Sequence, residues 1–144
     1  MELALEEARA AGLRGEVPVG AVVVHGVSGE TLAAAGNQCE ADSDPSAHAE
    51  MLALRAAAAR LGVTRLSDCD LYVTLEPCPM CAQAASFFRI RRLYFGANDA
   101  KGGGVVHGPR IFNQPTCHHA PEVYGGIRES EAAEMLKAFF RDRR

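Results

Sequence analysis

Two short segments, His48-Ala49-Glu50 and Pro77-Cys78-Pro79-Met80-Cys81, limit the folds open to this chain more than any other feature. Cys78 and Cys81 are three apart, so on a helix both thiols share one face with roughly 5–6 Å between their Cβ atoms. That spacing lets two sulfurs approach one metal ion to roughly 2.3 Å each. His48 opens a second helical pattern in the same way. Three protein ligands with a fourth position free is the arrangement of a catalytic zinc, whereas a structural zinc wants a fourth Cys or His. His25, His107, Cys117, His118 and His119 could supply one in principle, and none has the spacing that would recommend it.

Two thiolates and a neutral imidazole cancel the charge of Zn²⁺, so such an ion acidifies a water less than a three-histidine site does. A base must then stand nearby, and Glu50 is the candidate. Residues two apart on a helix do not share a face, so His48 and Glu50 should approach that water from different sides, one ligating and the other moving protons. Alone, Cys-x-x-Cys is equally a redox pair or half a zinc knuckle, and His-x-Glu means little. In the order helix start, strand, helix start, the combination favours a catalytic zinc site.

The rest of the chain supplies the elements. An amphipathic run with Leu3, Leu5, Ala8 and Leu13 predicts a helix ending at Gly12 or Gly15. Pro18 to His25 reads as a strand apolar on both faces, and Gly26-Val27-Ser28-Gly29 turns it into a weaker strand at Thr31 to Ala35. Asp44 is placed to cap a helix with Pro45 at its first position, running to Gly62. Leu71 to Leu75 predicts a buried strand, Pro77 a helix from Cys78 to about Phe88, Arg92 to Gly96 another strand, Val123-Tyr124 a short one, and Glu129 to Phe140 a last helix. Helix-length segments between strands imply right-handed crossovers and a mainly parallel sheet. Asn98 to Pro121 is rich in glycine and proline, with Gly102-Gly103-Gly104 as its expected loosest point and a lid or binding loop as its expected role.

Residues 1–144 fit one domain. No apolar run reaches the roughly 18 residues of a membrane span, and the start lacks a basic region followed by an apolar one. Five cysteines, two of them in Cys-x-x-Cys, fit free thiols and a cytoplasmic protein better than a disulfide framework. The net charge of -3 is unevenly spread: residues 1–88 carry 5 Lys+Arg against 12 Asp+Glu, and residues 89–144 carry 10 against 6. Arg89-Ile90-Arg91-Arg92 and Arg141-Asp142-Arg143-Arg144 concentrate the basic side, as a phosphate-binding face or as solvated surface.

The zinc-site pattern matches the signature of zinc-dependent base deaminases. Along nearly its whole length the chain resembles the bacterial tRNA-specific adenosine deaminases: Glu16 to Val22, Asn37, Ala47-His48-Ala49-Glu50, Leu71 to Cys78, Met80-Cys81-Ala82, Arg89-Ile90, Phe95-Gly96-Ala97, Asp99-Ala100-Lys101 and Phe139-Phe140-Arg141 carry the likeness. The first two-thirds fits many deaminases of that superfamily, while the Ala-Lys-Gly segment and the Phe-Phe-Arg ending draw the chain to the tRNA branch. The resemblance implies an α/β fold of cytidine deaminase type, three layers α/β/α around a mixed five-stranded sheet. It implies hydrolysis of adenosine to inosine at the wobble position of an arginine tRNA anticodon by a homodimer with one zinc ion per subunit. His48, Cys78 and Cys81 would hold zinc, with Glu50 as proton shuttle. Asn37 would touch the flipped base or its ribose, Val19 and Leu75 would pack on the base, and the Ala49 backbone would help read its edge. Asp99, Lys101 and Phe140 would border the anticodon stem-loop, and the terminal arginines would meet phosphate.

Departures from the family pattern are Gln83 for a usual Gly, Asn98 for a residue often basic, the Gly102-Gly103-Gly104 run, and Thr116 to Pro121, where Cys117, His118 and His119 are a second metal site or simply structural. Two other functions stay open on sequence: a deaminase of free nucleobases or nucleosides of guanine or cytosine type, and a non-catalytic zinc protein that binds RNA or a partner.

Overall fold

Helices and strands follow one another as α1 (Glu2–Leu13), β1 (Gly20–His25), β2 (Thr31–Gly36), α2 (Ala49–Leu61), β3 (Cys69–Leu75), α3 (Pro79–Phe87), β4 (Arg92–Ala97), β5 (Glu122–Tyr124) and α4 (Glu129–Arg141). The structure, a computed structural model, describes residues 1–143, so Arg144 of the basic terminus lies outside the described residues. The strands form one sheet in the order β2-β1-β3-β4-β5. α1 and α4 pack on one face of it, α2 and α3 on the other. This is the three-layer α/β/α arrangement with a mixed five-stranded sheet.

The sheet is evenly mixed rather than mainly parallel: β1 pairs antiparallel with β2 and with β3, and β3–β4 and β4–β5 are parallel. The crossover through α2 accounts for the difference. It joins β2 to β3, which run the same way, but carries the chain over β1, so the two strands it connects are not neighbours.

The main core lies between the sheet and α2 and α3, around Leu54, Leu66, Leu71, Ile90, Leu93 and Phe95. Strand alternation turns Tyr72 and Tyr94 the other way, and with Tyr124 they stack across three strands at centroid distances of 4.5 and 5.1 Å. Such cross-strand aromatic pairs help pin register.

On the other face α1 lies close to the backbone of the sheet. It buries Ala4, Leu5, Ala8 and Ala11, one stripe of mostly small residues. The stripe meets two glycines: a Cβ on Gly20 would stand 2.0 Å from the Ala4 carbonyl oxygen, and one on Gly36 would stand 2.8 Å from that of Glu7. At the start of α4, Arg128 pairs with Glu2 and Glu131, and Arg9 of α1 also reaches Glu131.

Two predicted helix starts move. α2 begins at Ala49 with His48 as its N-cap, because Asp44 spends its Oδ1 on the Ser46 N–H and hydroxyl at 2.8 and 2.7 Å and closes a turn instead of capping a helix. α3 begins at Pro79, with Cys78 rather than Pro77 just before it. Of the basic cluster, Arg91 makes a bidentate pair with Asp70 at 3.0 and 2.9 Å and Arg92 pairs with Glu122. Both are held at the N-terminal ends of the parallel strands and clamp them there, while Arg89 of the same cluster donates to the Ser86 carbonyl at 3.0 Å.

The close approach of α1 makes Gly20 sterically obligatory. Gly20→Ala is expected to lower stability by about 2–4 kcal/mol through overpacking and the melting temperature by roughly 10 °C. Gly29→Ala, in open space at φ 75°, should cost only about 1–2 kcal/mol. Thermal melting of the two variants checks the contrast.

Candidate metal centre

Strand register brings the site together. Gly20 stands opposite Gly36, Ala21 opposite Val73, and Leu75 opposite Ala97. Val19 before β1, Asn37 after β2, Leu75 and Glu76 at the end of β3 and Asp99 after β4 therefore meet at one edge of the sheet. The N-termini of α2 and α3 open at the same edge.

His48 and Cys78 occupy equivalent places there. Each is an N-cap in extended conformation, φ -72° and ψ 149° for His48, φ -69° and ψ 170° for Cys78. In that conformation the side chain leaves the helix mouth sideways. Cys81 follows in the first turn of α3, with unpaired N–H groups and the positive helix end favouring thiolate.

His48 Nδ1 lies 3.6 Å from Cys78 Sγ and 3.5 Å from Cys81 Sγ, and the three donor atoms all lie within 4.8 Å of one another. A tetrahedral ion with Zn–N and Zn–S bonds of ordinary length sets N and S about 3.6 Å apart. The donor set and its spacing therefore fit zinc. Among the described residues no other group of three such donors comes together. Of the histidines considered as a fourth ligand, His25 Nδ1 accepts from the Ser28 N–H, His107 faces Glu76, and His119 Nε2 lies 2.7 Å from the Ile90 carbonyl oxygen. Cys117 contacts Ser86 and donates to the His119 carbonyl. Cys117 and His119 thus tie their loop to the end of α3, and among the described residues they join no group of three metal donors.

The electrostatics divide these groups. The Cys78 thiol is pulled down to about 4, by the hydrogen bond from Cys81 and then by His48, while burial opposes the shift. Cys81, as the donor to Cys78 and buried, is pushed up. A divalent cation replaces that division by taking both sulfurs as thiolates. Glu50, only 4% exposed, is pushed up by burial; its side-chain partner is the Cys81 thiol at 3.5 Å.

These groups border a cavity of about 290 Å³, with Val19, Asn37 and Leu75 on its walls and Asp99 and Gly102 at its rim. A second cavity shares Val17, Leu75, Asp99 and Gly102 with the first and adds Lys101 and Phe140. All the predicted site residues except Ala49, Cys81, Lys101 and Phe140 line the first cavity. Cys81 lies behind it with its sulfur in the donor group, and Lys101 and Phe140 line the second.

Asn37 and Ala49 are joined directly. Asn37 Oδ1 accepts the Ala49 N–H at 2.8 Å, and Asn37 Nδ2 donates to the Val17 carbonyl at 3.2 Å. The Ala49 N–H is therefore already spent on capping α2, and Asn37 positions that helix start besides facing the cavity.

Sequence reasoning assigned no role to two buried glutamates beside the site. Glu16 accepts the Glu40 and Ala41 N–H groups at 3.0 and 2.9 Å and fastens the loop after Asn37. Glu76 fastens the loop after Asp99. For Glu76 the signal was a lone carboxylate directly after an apolar strand; Glu16, between α1 and β1, carried none. The Gly102 to Gly104 run is correspondingly not loose: a Cβ on Gly104 would stand 2.6 Å from the Pro79 nitrogen, and its N–H donates to the Pro77 carbonyl.

Comparison with known proteins agrees with this geometry. Residues 1–97 match the cytidine and deoxycytidylate deaminase zinc-binding region. The tRNA-specific adenosine deaminase of Agrobacterium fabrum is 59% identical over all of this chain and 93% of its own length, and that of Bacillus subtilis is 44% identical over all of this chain and 88% of its own. A solved structure from work on A-to-I editing by tRNA:A34 deaminases at the wobble position of transfer RNA is 60% identical. It has a TM-score of 0.92 over 94% of this chain and 97% of its own. The guanine deaminase of Nitrosomonas europaea shares the fold at 26% identity, with a TM-score of 0.83 over 96% of this chain and 81% of its own.

Glu16 provides a test of the loop anchoring. The Glu40 and Ala41 N–H groups hold its carboxyl below the usual carboxylate range, against the cost of burial. A depressed folded-state value contributes stability that is present above the unfolded value, about 4.3, and is lost as pH falls through the folded one. The melting-temperature gap between wild type and Glu16→Gln should therefore be constant from about pH 8 to 5 and close below about pH 4.

Proposed function

Because the chain belongs to the tRNA-specific adenosine deaminases, within the cytidine and deoxycytidylate deaminase zinc-binding family, we propose that His48, Cys78 and Cys81 hold its zinc ion and that Glu50 carries the proton in the reaction. The reaction is hydrolytic deamination of adenosine to inosine in tRNA, at the wobble position. The observation that carries the residue assignment is one imidazole nitrogen 3.5–3.6 Å from each of two sulfurs, with a buried carboxylate against one of them.

Zinc on these three donors supplies the Lewis acidity that brings a water toward ionisation at neutral pH. The remaining work falls to side chains. Glu50 accepts a proton from the attacking water and delivers it to N1 of adenine, then serves the amine leaving C6, so water and adenosine become inosine and ammonia. A carboxyl with an upward-pushed pKa suits both halves, because it can hold the proton between them. Val19 and Leu75 flank the base and exclude water, and Asn37 faces it while holding the start of α2. Asp99, Lys101 and Phe140 take the nucleotides next to it.

The preferred substrate is the anticodon stem-loop of an arginine tRNA, and the enzyme works as a homodimer in the cytoplasm. Five free thiols among the described residues suit that reducing compartment, and no helix of the described residues is long and apolar enough to cross a membrane. The guanine-type reading rests on relatives in the range of 25–28% identity and is the weaker one.

Glu50→Ala is expected to lower turnover of an anticodon stem-loop to inosine by about 10³-fold or more, with the zinc content measured by atomic absorption unchanged. Retained turnover would return Glu50 to an ordinary helix residue. Deleting residues 141–144 should weaken stem-loop binding and reduce the slope of log affinity against log salt by about 1–3. An unchanged slope would make the terminus solvated surface.

A further inference from the structure

The carboxylate of Glu76 is 1% exposed and sits two positions before Cys78. Five donors converge on it. Oε1 accepts the Asp99 N–H at 3.1 Å and lies 2.7 Å from His107 Nδ1. Oε2 accepts three successive backbone N–H groups, of Val105, Val106 and His107, at 3.2, 3.0 and 3.1 Å. Three consecutive amides turned onto one oxygen make an anion-binding nest, here filled by the protein's own side chain.

Gly103 is what lets that nest close. A Cβ there would stand 2.4 Å from Glu76 Oε2 and 2.5 Å from the Asp99 carbonyl oxygen. Beside it the Gly104 N–H donates to the Pro77 carbonyl at 2.8 Å. Residues 99–107 are thus clamped against the short segment that joins β3 to the metal-bearing start of α3.

With five donors on two oxygens, Glu76 has no lone pair left for substrate or for proton transfer, although it borders the cavity. It acts through what it holds. Asp99 and Gly102 form the rim of the reaction cavity and, with Lys101, the wall of the neighbouring one. A loop of nine residues with no helix or strand of its own keeps that shape only where its backbone donors are satisfied.

We propose that Glu76 is a positioning residue for RNA binding: by clamping Asp99 to His107 onto the metal-ligand segment it presents a preformed loop to the nucleotides around the target adenosine. The proposal rests on the reading of this site as a tRNA adenosine deaminase. A loop already ordered spends no binding energy on ordering when RNA arrives, so the clamp acts on KM and leaves kcat to zinc and Glu50.

Glu76→Gln keeps the shape but turns one acceptor oxygen into an NH₂ group facing N–H donors, so it should release the clamp nearly as fully as Glu76→Ala. His107→Ala removes one donor of five and should release it partly. In zinc-loaded enzyme without RNA, amide hydrogen exchange at Asp99, Val105, Val106 and His107 is expected to quicken about tenfold or more in Glu76→Gln and less in His107→Ala, with α2 and α3 as protected as in wild type. KM for an anticodon stem-loop should rise about tenfold with kcat changed less than about threefold. Unchanged exchange at those amides, loss of zinc from Glu76→Gln, or a fall in kcat at constant KM would each overturn the proposal. If Glu76→Gln does not fold, exchange in His107→Ala decides, and a wild-type pattern there overturns it. The exchange readout needs no substrate, so failure of the wild type to make inosine would count against the function and not against the clamp.

Discussion

The antiparallel pairing of β1 with β3 decides which strand ends meet at the candidate site. It sets Ala21 opposite Val73, and with β4 parallel to β3 it draws the start of β1, the end of β2, the end of β3 and the end of β4 to one edge. A slip of one residue would turn Val73 and Phe95 out of the core and carry Leu75 off the cavity wall. The tyrosine ladder over β3, β4 and β5 and the Arg91–Asp70 clamp resist that slip from the opposite edge. Chemistry at one end of the sheet is thus secured by packing and ion pairing at the other.

Around the site the same residue type is used in two opposed ways. Glu16 and Glu76 are buried with several N–H donors each, and both are held below the usual carboxylate range, for Glu76 because hydrogen bonds from Asp99 and His107 outweigh the cost of its burial. Glu50 is as buried, but a single thiol is its side-chain partner, and burial pushes its carboxyl up. Environment alone separates two fixed anchors from the carboxyl proposed to carry the proton, the pattern by which carboxylates of one site acquire different roles.

Those differences explain what the sequence disclosed. His48, Cys78 and Cys81 were legible because a metal needs donor types at helical spacing, a local property. Strands and helices were legible to within a few residues from periodicity and glycine punctuation. Asp44 and Pro45 misled because an aspartate before a helix can cap it or close a turn, and only the position of Ser46 separates the two. The Gly102 to Gly104 run misled for a related reason: glycine permits looseness and also permits contact too close for a Cβ, and the partner that makes it contact, Glu76, is distant in sequence. The pairing within the Arg89 to Arg92 cluster was not legible because nothing local announces that Asp70 and Glu122 meet Arg91 and Arg92.

Substrate choice follows from how the two cavities adjoin. A free base fills one cavity and needs only the walls that Val19, Asn37 and Leu75 supply. An RNA strand cannot deliver one base without laying its neighbours alongside, and the second cavity opens where they must go, across the shared wall of Val17, Leu75, Asp99 and Gly102. Its outer side is a half-exposed aromatic, Phe140, facing a loop that carries Lys101, a stacking surface beside a cation. The chain is acidic as a whole, so attraction to RNA has to be local. The loop carrying Lys101 is the one clamped through Glu76 to the segment before α3, so in the proposed reading recognition of the strand and chemistry on the base share one piece of backbone.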